Sequence, residues 1–218
     1  MAHIFIGDIH GCIDEVNELL SLLAPSPDDS VISVGDLVDK GPDPAACIRL
    51  WRESGYLAVR GNAEEKLLDQ RSPSNAALGL DDLTYVERLP LYLDMPEAGV
   101  IVVHGGLFPD QNLAEAELLR NREALLKLRF VRRKGPRWKR VPRGRELPGD
   151  VFWASLWRGD RTVVYGHHPT QDGKPRIDKR AIGLDTGCVY GGFLTAAILD
   201  GNAWEFVSFP ARKAYFPI

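Results

Sequence analysis

The sequence predicts an α/β fold, a mixed β-sheet system with helices outside, and three observations carry that expectation. Short apolar runs ending in Gly recur along the chain, as HIFIGDIHG, VISVGDLVDKG, YLAVRGNAE, VIVVHGG and TVVYGHHP. Helix-like stretches separate the early runs, and alternation of the two element types argues for a partly parallel sheet. Near the end AIGLDTG, FLTAAILDG and AWEFVSF follow one another with only turns between, which reads as an antiparallel meander.

Each of the five runs is rich in β-branched residues and has the length of a buried strand. Each stops at a glycine, where backbone can turn tightly and approach a ligand. After the first run, Ile13, Val16, Leu19, Leu20 and Leu23 repeat at helical spacing. After the second, Pro44 suits a first helical turn and Gly55 a stop. AEEKLLDQR opens a third helix, and DDLTYVERL a fourth with Asp81 or Asp82 as its cap. The stretch from Asn112 to Leu128, rich in Ala, Glu and Leu, also reads as helical.

The 218 residues suffice for one substantial core, and 44% hydrophobic with 26% charged residues is an ordinary globular balance. There is no apolar run of membrane-spanning length and no secretory signal pattern ahead of the first strand. Three cysteines without CxxC spacing suit reduced thiols, so a cytoplasmic, membrane-free protein is expected. Net charge is only -3, which excludes a general bias towards polyanions. Basic charge is nevertheless concentrated between Arg129 and Arg145, in RFVRRKGPRWKRVPRGR.

In open α/β sheets ligands collect at the carboxyl ends of strands. Here those ends carry Asp8 and His10, Asp36 and Asp39, Asn62, His104, then His167 and His168. Taken singly, a strand-end Asp is a turn former or helix cap, and His104 before Gly105-Gly106 a turn histidine. His3 reads simply as a strand residue. Taken together, carboxylates, imidazoles and an amide oxygen suit divalent Mn, Fe or Zn. Asp36 is the group placed to bridge two ions, the usual way of holding metals about 3.5–4 Å apart.

GDIHG, GDLVDKG, RGNAE, VHGG and YGHHP, in this order, resemble the phosphoprotein phosphatase superfamily of metallophosphoesterases. The best-matching branch is the bacterial one of symmetrical diadenosine tetraphosphatases and their phosphatase-like relatives, and GLDTGCVYGGFLTAAIL strengthens the likeness. The resemblance spans roughly Ile4 to Leu199. It implies two mixed β-sheets packed as a sandwich with flanking helices, the calcineurin-like metallophosphoesterase fold, as one domain over 1–218 with a basic cap or insert at about 112–150. It also implies two divalent ions, Mn foremost. Asp8, His10 and His167 would hold one and Asn62 and His104 the other, with Asp36 shared and a hydroxide between the ions as nucleophile. Arg60 would grip the substrate phosphate, and Arg129 or Arg132 of the insert would supply a second phosphate arginine.

Two positions depart from the family pattern. Lys40 stands where Arg is usual, giving a point charge in place of a bidentate fork. Ala63 stands where Gly-Asn-His-Glu has its histidine, the general acid that works as a dyad with the residue matching Asp39. General acid catalysis typically contributes about 10²–10⁴-fold, so a slowed enzyme is expected, with Asp39 left to water or Lys40. Ala63 fits an engineered substitution, or a natural variant that uses good leaving groups or another acid such as His168, or a degenerate binding module; the six intact metal-type groups argue against the last. The expected substrates are phosphorylated small molecules or nucleotides, dinucleoside polyphosphates first. Polyphosphate, an RNA 5' end and Ser/Thr or Tyr phosphoproteins are the other partners that such a site would serve, and a catalytically silent phosphate binder is the reading from outside enzymology.

Overall fold

The computed structural model describes residues 1–69 and 78–217. In chain order the elements are β1 (His3–Ile6), α1 (Ile13–Leu23), β2 (Ser30–Ser33), α2 (Pro44–Ser54), β3 (Leu57–Ala58), α3 (Asn62–Leu68), α4 (Leu80–Arg88), β4 (Tyr92–Met95) and β5 (Val100–Val103). There follow α5 (Glu115–Arg120), α6 (Arg122–Lys127), β6 (Phe130–Lys134), β7 (Arg137–Val141), β8 (Val151–Phe152), α7 (Trp153–Leu156), β9 (Thr162–Tyr165), β10 (Arg176–Asp178), β11 (Ala181–Gly183), β12 (Phe193–Asp200) and β13 (Ala203–Pro210).

Two five-stranded mixed sheets form the centre, in the orders β13-β12-β1-β2-β3 and β10-β11-β9-β5-β4. Within them β1, β2 and β3 run parallel, as do β5, β9 and β11. Strand alternation assigns each side chain to a layer. Ile4, Ile6 and Val31 pack with Val16, Leu19, Ile48 and Trp51 of the outer helices, while Phe5, Ile32, Val100, Val102, Val164 and Ile182 meet between the sheets. Ile101, Val103 and Val163 turn the other way, against Leu125, Leu128 and Trp153. Burial on both faces is why these strands read as unbroken apolar runs. The sandwich with flanking helices is the architecture that the motifs implied.

Local signals fared well where a cap was involved. Pro44 opens α2 behind Asp43, whose carboxylate accepts from Ala46 N, and Gly55 closes it at φ 68°. The α4 helix instead starts after Gly79, and Asp82 acts from inside its first turn by accepting from Gly79 N. The third helix ends at Leu68, and Gln70 and Arg71 of its sequence pattern lie outside the described residues. The expected helix over 112–128 divides into α5 and α6 at Asn121, whose amide bonds Glu117 O and Gln111 Oε1. One expectation fails outright. AIGLDTG does not join a C-terminal meander: β11 lies between β9 (parallel) and β10 (antiparallel) in the second sheet, and of the three segments FLTAAILDG and AWEFVSF alone pair, as the hairpin β12–β13. Ala181 and Ile182 are buried on opposite faces of that sheet, so β11 belongs in its interior rather than beside β12.

The basic segment forms a separate small sheet, β7-β6-β8, between β5 and β9 in the chain. Among the described residues no helix is long and apolar enough to cross a membrane.

Candidate metal centre

The carboxyl ends of β1, β2, β3, β5 and β9 converge, and hydrogen bonds lace the loops that leave them. His10 N and Ile9 N donate to Asp36 O, and Gly166 N donates to His104 O. Asp8 crosses between the sheets, accepting from His167 N at 3.0 and 3.1 Å. His104 crosses too, through Nδ1 and Val34 O at 2.9 Å.

Glycines make the approach possible. A Cβ on Gly166 would stand 2.0 Å from Asp8 Oδ1, and one on Gly61 would stand 2.2 Å from Asp36 Oδ1. The loops are also strained. His10, Asp36, Asp39, Lys40 and His167 all take positive φ, between 50° and 71°, a region that costs L-residues energy and clusters at functional sites.

The donor set has a definite polarity. His10 Nδ1 lies 3.0 Å from Val38 O and His104 Nδ1 lies 2.9 Å from Val34 O. A carbonyl only accepts, so Nδ1 carries the proton in each neutral ring and Nε2 presents a lone pair. Burial lowers the pKa of His10, His104 and His167, favouring that neutral form. His10 Nε2 then faces Asp36 Oδ2 at 3.3 Å, and His104 Nε2 faces Asp36 Oδ1 at 3.3 Å and Asn62 Oδ1 at 3.1 Å. Acceptor stands against acceptor, which suits cations between them. Ligand-type atoms of Asp8, His10 and Asp36 all lie within 4.8 Å of one another. His167 adds its ring 5.1 Å from that of His104. The residues present therefore fit divalent metal, with one Asp36 oxygen turned to each half of the cluster.

Among the charged groups nominated from sequence, Lys40 and Arg129 reach this cluster. Lys40 Nζ donates to His10 Nε2 at 2.9 Å, so it is no solvated loop lysine. Arg129 Nη2 donates to His167 O at 2.9 Å. Arg60 is turned aside, bonded to Glu87 O and Glu65. Arg132 lies away from the cluster, held by both oxygens of Asp150. Asp39 is met by Lys66 Nζ at 3.0 Å, neither left to water nor paired with Lys40. Ala63 is buried, and its N–H donates to Asp36 Oδ1 at 2.7 Å.

Three participants escaped sequence reasoning. Glu64 is fully buried and accepts from Asp36 N, Val38 N and Gly61 N, tying two loops together. Burial, then Asp36, pushes its pKa up to about 7. Its three-residue spacing from Gly61 was the available signal. Asp185 follows β11 with Leu184 between it and Gly183, one residue further from its glycine than Asp8 or Asp36; burial raises its pKa to about 7, and it presses Asp8 upward. Lys66 carried no signal beyond lying one helical turn after Ala63.

With the site described, the class of protein follows. Residues 1–199 match the profile of the calcineurin-like phosphoesterases, and the chain belongs to that family, a group of metal-dependent phosphatases and hydrolases. Among individual proteins it is 32% identical to a bis(5'-nucleosyl)-tetraphosphatase PrpE [asymmetrical] of Halalkalibacterium halodurans, over 95% of this chain and 93% of the relative. A serine/threonine-protein phosphatase 1 of Salmonella typhimurium is 46% identical over 34% of this chain and 35% of its own. A crystal structure described provisionally as a diadenosine tetraphosphatase superposes with a TM-score of 0.82 at 33% identity, covering 96% of this chain and 93% of the other.

Proposed function

We propose that the chain is a dimetal phosphoesterase whose principal substrates are dinucleoside polyphosphates, cleaved at a phosphoanhydride. One observation supports the reading: each oxygen of Asp36 faces a different histidine lone pair, so a single carboxylate could serve two cation positions. Asp8, His10, Asp36 and His167 would hold one ion, and Asp36, Asn62 and His104 the other. Two such ions, Mn first among the candidates, would supply an acidified water for in-line attack and charge to offset the phosphate.

The chain's own groups do the remaining work. Val38 O and Val34 O fix the histidine tautomers, a supporting shell that keeps each Nε2 aimed inward. Lys40 and Arg129 flank the cluster and would orient the attacked phosphoryl oxygens. Arg60 is engaged by Glu65 and Glu87, so phosphate contact falls to these two. Nothing at Ala63 can hand a proton to the leaving oxygen, and turnover of poor leaving groups should be slow. The relatives named as tetraphosphatases, matched over nearly their whole length, support the substrate class. Three buried free thiols suit the cytoplasm as its compartment.

The local likeness to a serine/threonine phosphatase favours a second reading, dephosphorylation of proteins. Metal-stripped protein reloaded with Mn, assayed on diadenosine tetraphosphate and on a phosphopeptide, separates the two. Metal-dependent release of nucleotides supports the first reading, and turnover of the peptide alone replaces it with the second. Silence on both, persisting in Ala63→His, means a binder of phosphate ligands.

A further inference from the structure

A cationic group lies beside the centre, on the His167 side, and the chemistry so far uses only its first member. Arg129 donates from Nη2 to His167 O, and its Nε is buried with no partner. His168 follows in the chain, its ring centroid 5.0 Å from that of Phe152 and 6.0 Å from that of Phe130, and its Nδ1 is likewise buried and unpartnered. Arg176 lies 4.0 Å from the centroid of the same Phe152 ring. Asp178 engages its Nε, leaving the two terminal amino groups. The loop after β7 is exposed.

That loop is not left loose. Arg132 bonds Asp150 with Nε and Nη2 and reaches Arg145 O, while Leu147 N donates to Asp150. Arg132, which motif reasoning nominated for phosphate, thus anchors the loop after β7.

Two guanidinium groups flank one imidazole through the shared Phe152 ring and the His167 backbone, and Arg129 Nε and His168 Nδ1 are both buried without a hydrogen-bond partner. Guanidinium forks match the non-bridging oxygens of phosphate. Stacking on Phe152 holds the plane of Arg176 in advance of binding.

We propose that Arg176 and His168 extend Arg129 into a subsite for the longer polyphosphate arm of the substrate, beyond the phosphorus under attack. The inference rests on the dinucleoside polyphosphate reading. The tetraphosphatase relatives are named asymmetrical, in contrast to the symmetrical branch that the motifs resemble, and off-centre cleavage of a dinucleoside tetraphosphate would leave a mononucleotide on one side and a nucleoside triphosphate on the other. The two arms differ in charge, and a cationic cluster on one side of the centre distinguishes them.

Arg176→Ala, with Arg176→Lys as a variant that keeps charge, is compared with wild type on dinucleoside tri-, tetra- and pentaphosphates and on an aryl phosphate. For the alanine variant KM on the tetraphosphate rises about tenfold while kcat holds within about twofold, the pattern of lost uniform binding. Its preference for longer chains flattens, Arg176→Lys retains part of it, and kcat/KM on the aryl phosphate stays at the wild-type value, which also certifies the fold. Unchanged KM on the tetraphosphate, or an equal loss on the aryl phosphate, overturns the subsite alone. Wild-type protein that cleaves the aryl phosphate but no dinucleoside polyphosphate removes the substrate reading, and the subsite falls with it.

Discussion

Lys66 Nζ lies 3.0 Å from Asp39 Oδ2, and Lys66 follows Ala63 by one turn of α3. The carboxylate that a histidine at position 63 would orient against is therefore occupied by an ammonium group from the same helix. An imidazole at 63 would compete for Asp39 from a more buried position, since Ala63 is 1% exposed and the Lys66 side chain 47%. Ala63→His is expected to raise kcat on diadenosine tetraphosphate with Mn at least tenfold, the low end of the roughly 10²–10⁴-fold range for general acids. A smaller rise would mean that position 63 is not where the leaving oxygen collects its proton.

Glu64 joins the Asp36 loop to the start of α3 through three backbone N–H groups. Glu64→Gln keeps the shape but turns one acceptor into a donor facing amide hydrogens. A buried donor left unsatisfied costs about 1–3 kcal/mol, which for a chain of this size is a drop in Tm on the order of 5 °C. Metal content should fall as well, because Asp36 N is one of the three. A variant with wild-type Tm and full metal loading would show that the loops hold each other without it.

Much of this site was legible because buried parallel strands and their glycine ends leave a periodic trace. Asp8, Asp36, His104 and His167 each follow an apolar run whose two faces are both covered, so the pattern of runs placed them together at strand ends. Side-chain direction left no such trace. Arg60 adjoins Asn62 in sequence yet turns to Glu65 and Glu87, contacts fixed by how α3 and α4 pack. Arg129 and Arg132 are equivalent in a basic run, and only strand register separates the one beside His167 from the one clasped by Asp150. For β11, periodicity could report burial but not which sheet the strand would join.

That separation makes a direct comparison. Arg129→Ala removes a half-buried guanidinium at the edge of the centre, and a charge-assisted hydrogen bond of this kind corresponds to about a tenfold or greater loss of kcat/KM on diadenosine tetraphosphate. Arg132→Ala acts only by loosening the loop after β7, through a partly buried ion pair away from the cluster, and a loss of at most about fivefold is expected. Steady-state kinetics on the two purified variants decides it, and the reverse order would return the phosphate role to Arg132.

Two glycines separate geometry of the centre from geometry of the chain. Gly55 ends α2 in the left-handed region at φ 68°, and an added Cβ there meets nothing within 4 Å. Gly55→Ala should cost about 1 kcal/mol of stability through the backbone alone and leave hydrolysis intact. At Gly166 the clash is with the site: Asp8 Oδ1 stands 2.0 Å and Val34 Cγ2 2.7 Å from where the methyl group would sit. Asp8 must move, and its hold on His167 N breaks with it. Misplacement of a catalytic group by about 1 Å can cost 10²-fold in rate. Gly166→Ala should therefore lose about that much activity and one equivalent of bound metal, while melting within a few degrees of Gly55→Ala. Metal analysis beside kcat separates the outcomes, for a variant that keeps both ions and its rate would remove Asp8 from the centre.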